Sequence, residues 1–171
     1  MNLKKMFILI CILFFSISLT AVEKEFSKGI NLLTAEIGFS SFATPFGASF
    51  ERGITDQIGV GASALFMSWG YGSGIFGDHS QTLIIPSAFA VYHFTKINVK
   101  KLDVYAGASV GFGIYSSDLA GETATSSLFL SGIIGVRYYI TEKIAINFKE
   151  SFGLISDWSG SYALLGVTFK L

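Results

Sequence analysis

Apolar residues alternate with small or polar ones along most of this chain, and the alternation has period two. In residues 102–115, Leu102, Val104, Ala106, Ala108, Val110, Phe112 and Ile114 share one face, while Asp103, Tyr105, Gly107, Ser109, Gly111, Gly113 and Tyr115 share the other. Successive side chains of an extended strand point to opposite sides, so such a run predicts a strand whose two faces meet different surroundings. Leu33, Ala35, Ile37 and Phe39 stand against Thr34, Glu36, Gly38 and Ser40 in the same way. At the end of the chain, Ala163, Leu165, Val167, Phe169 and Leu171 stand against Tyr162, Leu164, Gly166, Thr168 and Lys170. Eight segments carry the pattern: 31–42, 46–54, 58–69, 81–94, 102–115, 126–140, 144–154 and 161–171. Each has at least about 9 residues, the length a tilted strand needs to cross the hydrocarbon of a bilayer.

The links between segments fall into two kinds. Ile54-Thr55-Asp56-Gln57-Ile58 and Ile140-Thr141-Glu142-Lys143-Ile144 are near-copies of one tight turn, and Phe94-Thr95-Lys96 opens a third that ends at Lys101. These share one end of the molecule. The other links, 43–45, 70–80, 116–125 and 155–160, share the opposite end, and three of them are longer and rich in Gly, Ser, Asp and aromatic residues. An even number of strands, short turns at one rim and longer loops at the other is the layout of an outer-membrane barrel.

Residues 1–21 read differently. Lys4 and Lys5 precede an apolar run from Met6 to about Leu13, extended by Phe14, Phe15, Ile17 and Leu19 and closed by small residues, the pattern of a secretory signal peptide cut near Thr20 or Ala21. Cys11 lies inside that apolar run, so the exported chain carries 10 basic and 12 acidic groups and no thiol. Three regions are expected: a signal peptide at 1–21, a short polar leader at 22–29, and a barrel over 30–171.

Composition narrows the choice of medium and of partner. The 171 residues include 12 basic and 12 acidic side chains, a balance that gives no basic patch for nucleic acid. One cysteine excludes an intramolecular disulfide and a Cys-rich zinc site. Beyond residue 21 no run is long and apolar enough for a spanning helix, so a membrane could be crossed only by strands. A soluble barrel would turn a charged face to water. Here the second face is Gly, Ser, Thr and Tyr with few charges, which suits the crowded inside of an eight-stranded barrel. Aromatic residues gather toward both expected rims: Tyr92, Phe94, Tyr138, Tyr139 and Phe169 at the turn end, and Phe42, Phe46, Trp69, Tyr115, Phe152, Trp158 and Tyr162 at the loop end. Two such groups read as interfacial girdles.

On the Gly53-Ile54-Thr55-Asp56 and Tyr138-Tyr139-Ile140-Thr141-Glu142 turns, the Val104-Tyr105-Ala106-Gly107 strand and the terminal strand, residues 30–171 resemble the small eight-stranded outer-membrane β-barrels of outer membrane protein A and X type. The resemblance implies an all-β, eight-stranded, antiparallel up-and-down transmembrane barrel after a cleaved signal peptide. It also implies a last strand that serves as an assembly signal. Leu165, Val167 and Phe169 match that signal, and Leu171 stands where a terminal Phe is usual. The partners it implies are outer-membrane lipid and lipopolysaccharide or its equivalent, the outer-membrane assembly machinery, and a surface polymer or host ligand at the loops.

Four charged residues, Glu36, Glu51, Arg137 and Lys149, fall on the inward register, with Asp103 and Lys170 nearer the turn end. Charges buried alone are costly, so these are expected to pair across the lumen, plugging it rather than lining an ion path. Glu150 breaks the pattern by sharing a face with Ile144, Ile146, Phe148 and Phe152, which places it outward or at a bulge. His93, on a strand near a turn, reads as an interfacial side chain. Asp78-His79-Ser80 holds the residue types of a nucleophilic relay, but adjacent strand side chains point apart and cannot easily form one. Gly59-Val60-Gly61 and Gly70-Tyr71-Gly72-Ser73-Gly74 open no helix, so they lack phosphate-loop geometry. No catalytic, cofactor or metal site is expected. The reading is a non-enzymatic barrel with a filled interior, localised to the outer membrane of a diderm bacterium. Its role is structural or adhesive, through loops 70–80 and 116–125 with Tyr71, Phe76, His79, Asp118 and Glu122. The alternatives are an enzyme that modifies lipid A and a soluble secreted barrel that binds an apolar ligand.

Overall fold

A computed structural model of the chain describes residues 25–40, 43–71, 79–95, 97, 99–117, 125–155 and 161–171. They form eight strands: β1 (Asn31–Phe39), β2 (Phe46–Gly53), β3 (Ile58–Tyr71), β4 (His79–His93), β5 (Leu102–Ser117), β6 (Thr125–Tyr139), β7 (Ile144–Ile155) and β8 (Ser161–Lys170). Each is antiparallel to its neighbour in sequence, and β1 pairs with β8 from Leu32↔Lys170 to Phe39↔Ala163, so the sheet closes without an edge. Closure satisfies the ladder hydrogen bonds that an open sheet would leave exposed.

The two near-copied turns have the same hydrogen bonds. Thr55 Oγ1 accepts from the backbone of Gln57 at 3.1 Å and Ile58 at 2.9 Å, and Thr141 Oγ1 accepts from Lys143 at 3.2 Å and Ile144 at 3.0 Å. A threonine here supplies a local acceptor that shapes the turn before the ladder begins. Thr55→Ala and Thr141→Ala are each expected to lower stability by about 1 kcal/mol, read as a shift in the urea midpoint of the folded barrel.

Several strand bounds depart from the periodicity by one to three residues; β5, for one, runs on to Ser117. The first strand stops at Phe39 rather than 42, where Ser40 turns the chain by bonding Ala43 through both backbone and side chain. The third and fourth strands run on to the pair Tyr71↔His79, which shortens the link expected over 70–80. Between β6 and β7 the register shifts at Leu130/Ser131, the signature of a bulge. Glu150 lies below it in regular pairing with Ile134 and Ala163, so it is outward and not bulged.

The outer wall is apolar. Phe39 is 74% exposed, Leu154 57%, Phe112 56% and Ile37 55%, fractions that would be anomalous for a water-facing surface with so little charge beside them. Tyr92, Phe94, Tyr138 and Phe169 do stand outward at the turn end, and Phe46 and Phe152 stand outward toward the loop end. Four other rings assigned to the girdles are not there. Tyr139 and Tyr162 are buried inside, and Trp69 and Tyr115 pack against the interior cluster, because each has inward parity on its strand. Phe42 and Trp158 lie outside the described residues.

Candidate functional site

The barrel interior is layered. Below β1, the segment before Asn31 folds back under the turn-end mouth. Gly29, at a φ of +87°, makes a bend that L side chains resist, and its amide donates to the Gly53 carbonyl at 2.8 Å. The Lys28 amide donates to Asp56 Oδ1 at 3.0 Å. These bonds set Phe26 inside the mouth, where it packs with Ile30 and Leu32 and is 1% exposed. Its ring lies flat on the His93 imidazole, centroids 3.4 Å apart and planes 7° from parallel.

Immediately above is a closed ring of four charged groups. His93 Nε2 lies 2.7 Å from Glu51 Oε1 and its Nδ1 lies 2.7 Å from Asp103 Oδ1. Arg137 spans the same two acids, donating from Nη2 to Glu51 and from Nη1 to Asp103 Oδ2 at 3.2 Å. An ionised carboxylate only accepts, so with both acids ionised both imidazole nitrogens donate, and two negative groups meet two positive ones. The Arg137 guanidinium also stands 4.4 Å from the centre of the Tyr105 ring, whose hydroxyl donates to Asn147 Oδ1 at 2.7 Å. Gly135 makes room for that ring, since a Cβ there would collide with it. Farther up, Lys149 Nζ donates to Glu36 Oε1 at 2.6 Å.

Hydroxyls form the middle layer. Thr34 pairs with Thr168 at 2.9 Å, Ser63 with Ser87 at 2.8 Å and Ser109 with Ser131 at 2.7 Å, while Ser151 donates to Ser131 at 3.1 Å. Cross-strand register brings Thr34, Ser49, Ser63 and Ser87 side by side. Two cavities of about 20 Å³ each border Lys149, Ser63 and Ile133, and each has room for about one water. Toward the loop end the interior turns apolar, with Leu65, Met67, Leu83, Ile85, Phe129, Tyr162 and Leu164 in contact. The packed polar interior suggested by the Gly, Ser and Thr face is thus polar only in its lower and middle parts. Enclosed strands pack like any protein core wherever no charge has to be satisfied.

The structure brings Glu51 and Arg137 together, and Glu36 and Lys149 together, as two separate groups. Asp103 joins the first. Lys170 joins neither, its ammonium lying 5.9 Å from the centre of the Tyr139 ring. His93, read from sequence as interfacial, is 0% exposed and is a member of the ionic ring, a correction that follows from its inward parity on β4. Phe26 was missed altogether. Of the residue types in Asp78-His79-Ser80, Asp78 lies outside the described residues, and His79 and Ser80 occupy successive positions of β4. Among the described residues no group of three or more His, Cys, Asp or Glu side chains is placed to hold a metal ion. Leu165, Val167 and Phe169 face outward on β8, with Leu171 exposed beyond its end.

What these features define is a closed eight-stranded barrel with an apolar exterior and an interior filled by side chains. Solved outer-membrane barrels have the same fold. The N-terminal β-barrel domain of Pseudomonas aeruginosa OprF superposes with a TM-score of 0.58 at 19% identity, covering 84% of this chain and 98% of that one. The outer membrane protein OprG from Pseudomonas aeruginosa superposes with a TM-score of 0.64 at 14% identity, covering 87% and 99%. Ail, the attachment invasion locus protein of Yersinia pestis, in complex with the heparin analogue sucrose octasulfate, gives 0.53 at 14% identity, covering 83% and 96%. No family model matches the sequence, and no curated protein sequence matches it.

Proposed function

We propose that the chain is exported with cleavage of residues 1–21, inserted in the outer membrane of a diderm bacterium by the assembly machinery, and acts there as a non-enzymatic envelope protein. Its last strand, with Leu165, Val167, Phe169 and Leu171, is the assembly signal in this reading. The observation that carries it is the pairing of a continuous apolar exterior with an interior closed by Phe26 and the Glu51–His93–Asp103–Arg137 ring. Among the described residues such a barrel has its apolar surface outside and side chains filling its interior, and in this reading its role falls to the loop end. Exposed Lys28, Arg52, Lys100, and Lys143 at the turn end suit the headgroup zone that bounds the hydrocarbon.

The loop segments narrow the surface ligand. Residues 72–78, 118–124 and 156–160 contain Asp78, Asp118, Glu122 and Asp157 and no Lys or Arg. A sulfated polyanion of the kind bound to Ail would be repelled by them. The ligand that fits this end is neutral or cationic, such as an uncharged surface polymer or a basic host protein.

Two measurements test the reading. The chain should co-fractionate with outer membranes and, purified in detergent, should migrate differently on a gel before and after heating. A chain that is monomeric and stable in plain buffer overturns it in favour of a soluble barrel. An enzyme acting on lipid A is favoured instead if His79→Ala or Ser80→Ala abolishes a change in lipid A mass.

A further inference from the structure

On the outer wall of β7, Glu150 sits between Phe148 and Phe152, with Ile134 beside it on β6 and Ala163 beside it on β8. It lies six residues beyond Ile144, the first residue of its strand. At about 3.3 Å per residue and a tilt of about 40°, that is roughly 15 Å up an apolar band about 25 Å tall. Above the Arg52 rim it is the one residue with an ionisable acid or base among the described outward positions of the eight strands, tyrosines aside. No hydrogen bond or ion pair joins its carboxyl to another described residue. Ionisable groups at this depth are rare and need a partner, and lipid tails offer none.

We infer that a second copy of this chain covers this wall, with the two Glu150 carboxyls hydrogen-bonded to each other across a two-fold axis. This inference rests on the membrane reading above. A neutral carboxyl has one donor and one acceptor, so it is complementary to its own copy. A two-fold axis in the membrane normal presents the same group at the same depth, which no headgroup can do. The Ala163 side leaves the carboxyl open to approach, because a methyl is all that stands beside it on β8. On the other side the Phe152 ring already covers Gly132, where a Cβ would collide with it. The contact therefore centres on β7 and β8.

The test uses the exported chain, which has no cysteine of its own once Cys11 is removed with the signal peptide, folded into phosphatidylcholine vesicles at high dilution. Single cysteines are placed at Ala163, on the inferred contact, and at Ala88, on the opposite wall. Insertion is first checked by the heat-dependent gel shift, so that a failure of the membrane reading is seen separately. Oxidation should trap a dimer through Ala163→Cys well above the level for Ala88→Cys. Adding Glu150→Leu should weaken dimerisation by about tenfold. Glu150→Gln, whose amide still offers both a donor and an acceptor, should preserve it. Equal trapping at the two cysteines overturns the inference, as does trapping that Glu150→Leu leaves unchanged. Trapping to a different polypeptide in cells, with no dimer in vesicles, replaces the second copy with another membrane protein and also overturns it.

Discussion

Arg137→Ala is expected to destabilise the barrel by about 3 to 5 kcal/mol, the cost of leaving buried charge without its partner. Among the described residues the Arg137 guanidinium and the His93 imidazole each bridge Glu51 and Asp103, and His93 alone cannot neutralise two acids. Removing Glu51 as well should recover much of the loss. Asp103 and His93 then remain as one balanced pair, so the double variant Glu51→Ala with Arg137→Ala should be more stable than the two single losses added, by about 1 to 3 kcal/mol. Arg137→Lys should fall between, because an ammonium cannot present two parallel donors to two carboxylates in fixed geometry. Urea unfolding of the barrel in vesicles, followed by the gel shift, measures all three. Strict additivity would mean that the ring is a coincidence of separate contacts.

Strand count, closure and the lipid-like face were legible because they depend on contrast between faces. β5 shows this contrast fully: Leu102 through Ile114 outward, Asp103 through Tyr115 inward. β4 lacks it. Its inward Leu83, Ile85, Phe89 and Val91 are as apolar as its outward Ile84, Ala88 and Ala90, so parity there could not be read and His93 was placed at the interface. A charge count held the missing signal. Glu36, Glu51 and Asp103 face inward against Arg137 and Lys149, a deficit of one cation that His93 fills. Lys170 hid the deficit by seeming to complete the count, whereas it rests over Tyr139 near the rim. The adjacent pair Tyr138-Tyr139 carries a related lesson. Neighbouring strand residues face opposite ways, so only one of them can stand in a girdle, and Tyr139 is the one buried.

Pairing distances were beyond reach for a different reason. Period two fixes which side a residue faces but not its height in the barrel, which depends on shear and on the register of every strand. Glu36 and Glu51 occupy the same face of adjacent strands, yet one meets Lys149 and the other meets Arg137 and His93. Only the closed register from β1 to β8 separates them into two groups.

Phe26→Ala should produce the second large effect, about 3 kcal/mol of lost stability, and a chemical change that a mere cavity would not give. In the leader segment Val22-Glu23-Lys24-Glu25-Phe26-Ser27-Lys28 this ring is a lone large apolar group among charges, with no periodicity to mark its face. Its burial comes from the backbone instead: the Gly29 bend and the bonds from Gly29 to Gly53 and Lys28 to Asp56 hold the ring against His93. With the ring gone, water from the turn end reaches an imidazole that is otherwise 0% exposed. The measurement is modification of His93 by diethyl pyrocarbonate in folded barrels carrying His79→Gln, which leaves one histidine to follow. Wild-type Phe26 should keep His93 unreactive until the barrel unfolds, and Phe26→Ala should make it react in the folded state. Phe26→Leu should still cover the imidazole while losing the ring-on-ring contact, about 0.5 to 1.5 kcal/mol of the total. If His93 stays protected in Phe26→Ala barrels of unchanged stability, Phe26 is a passenger on the mouth, and the ionic ring is sealed by the strands alone.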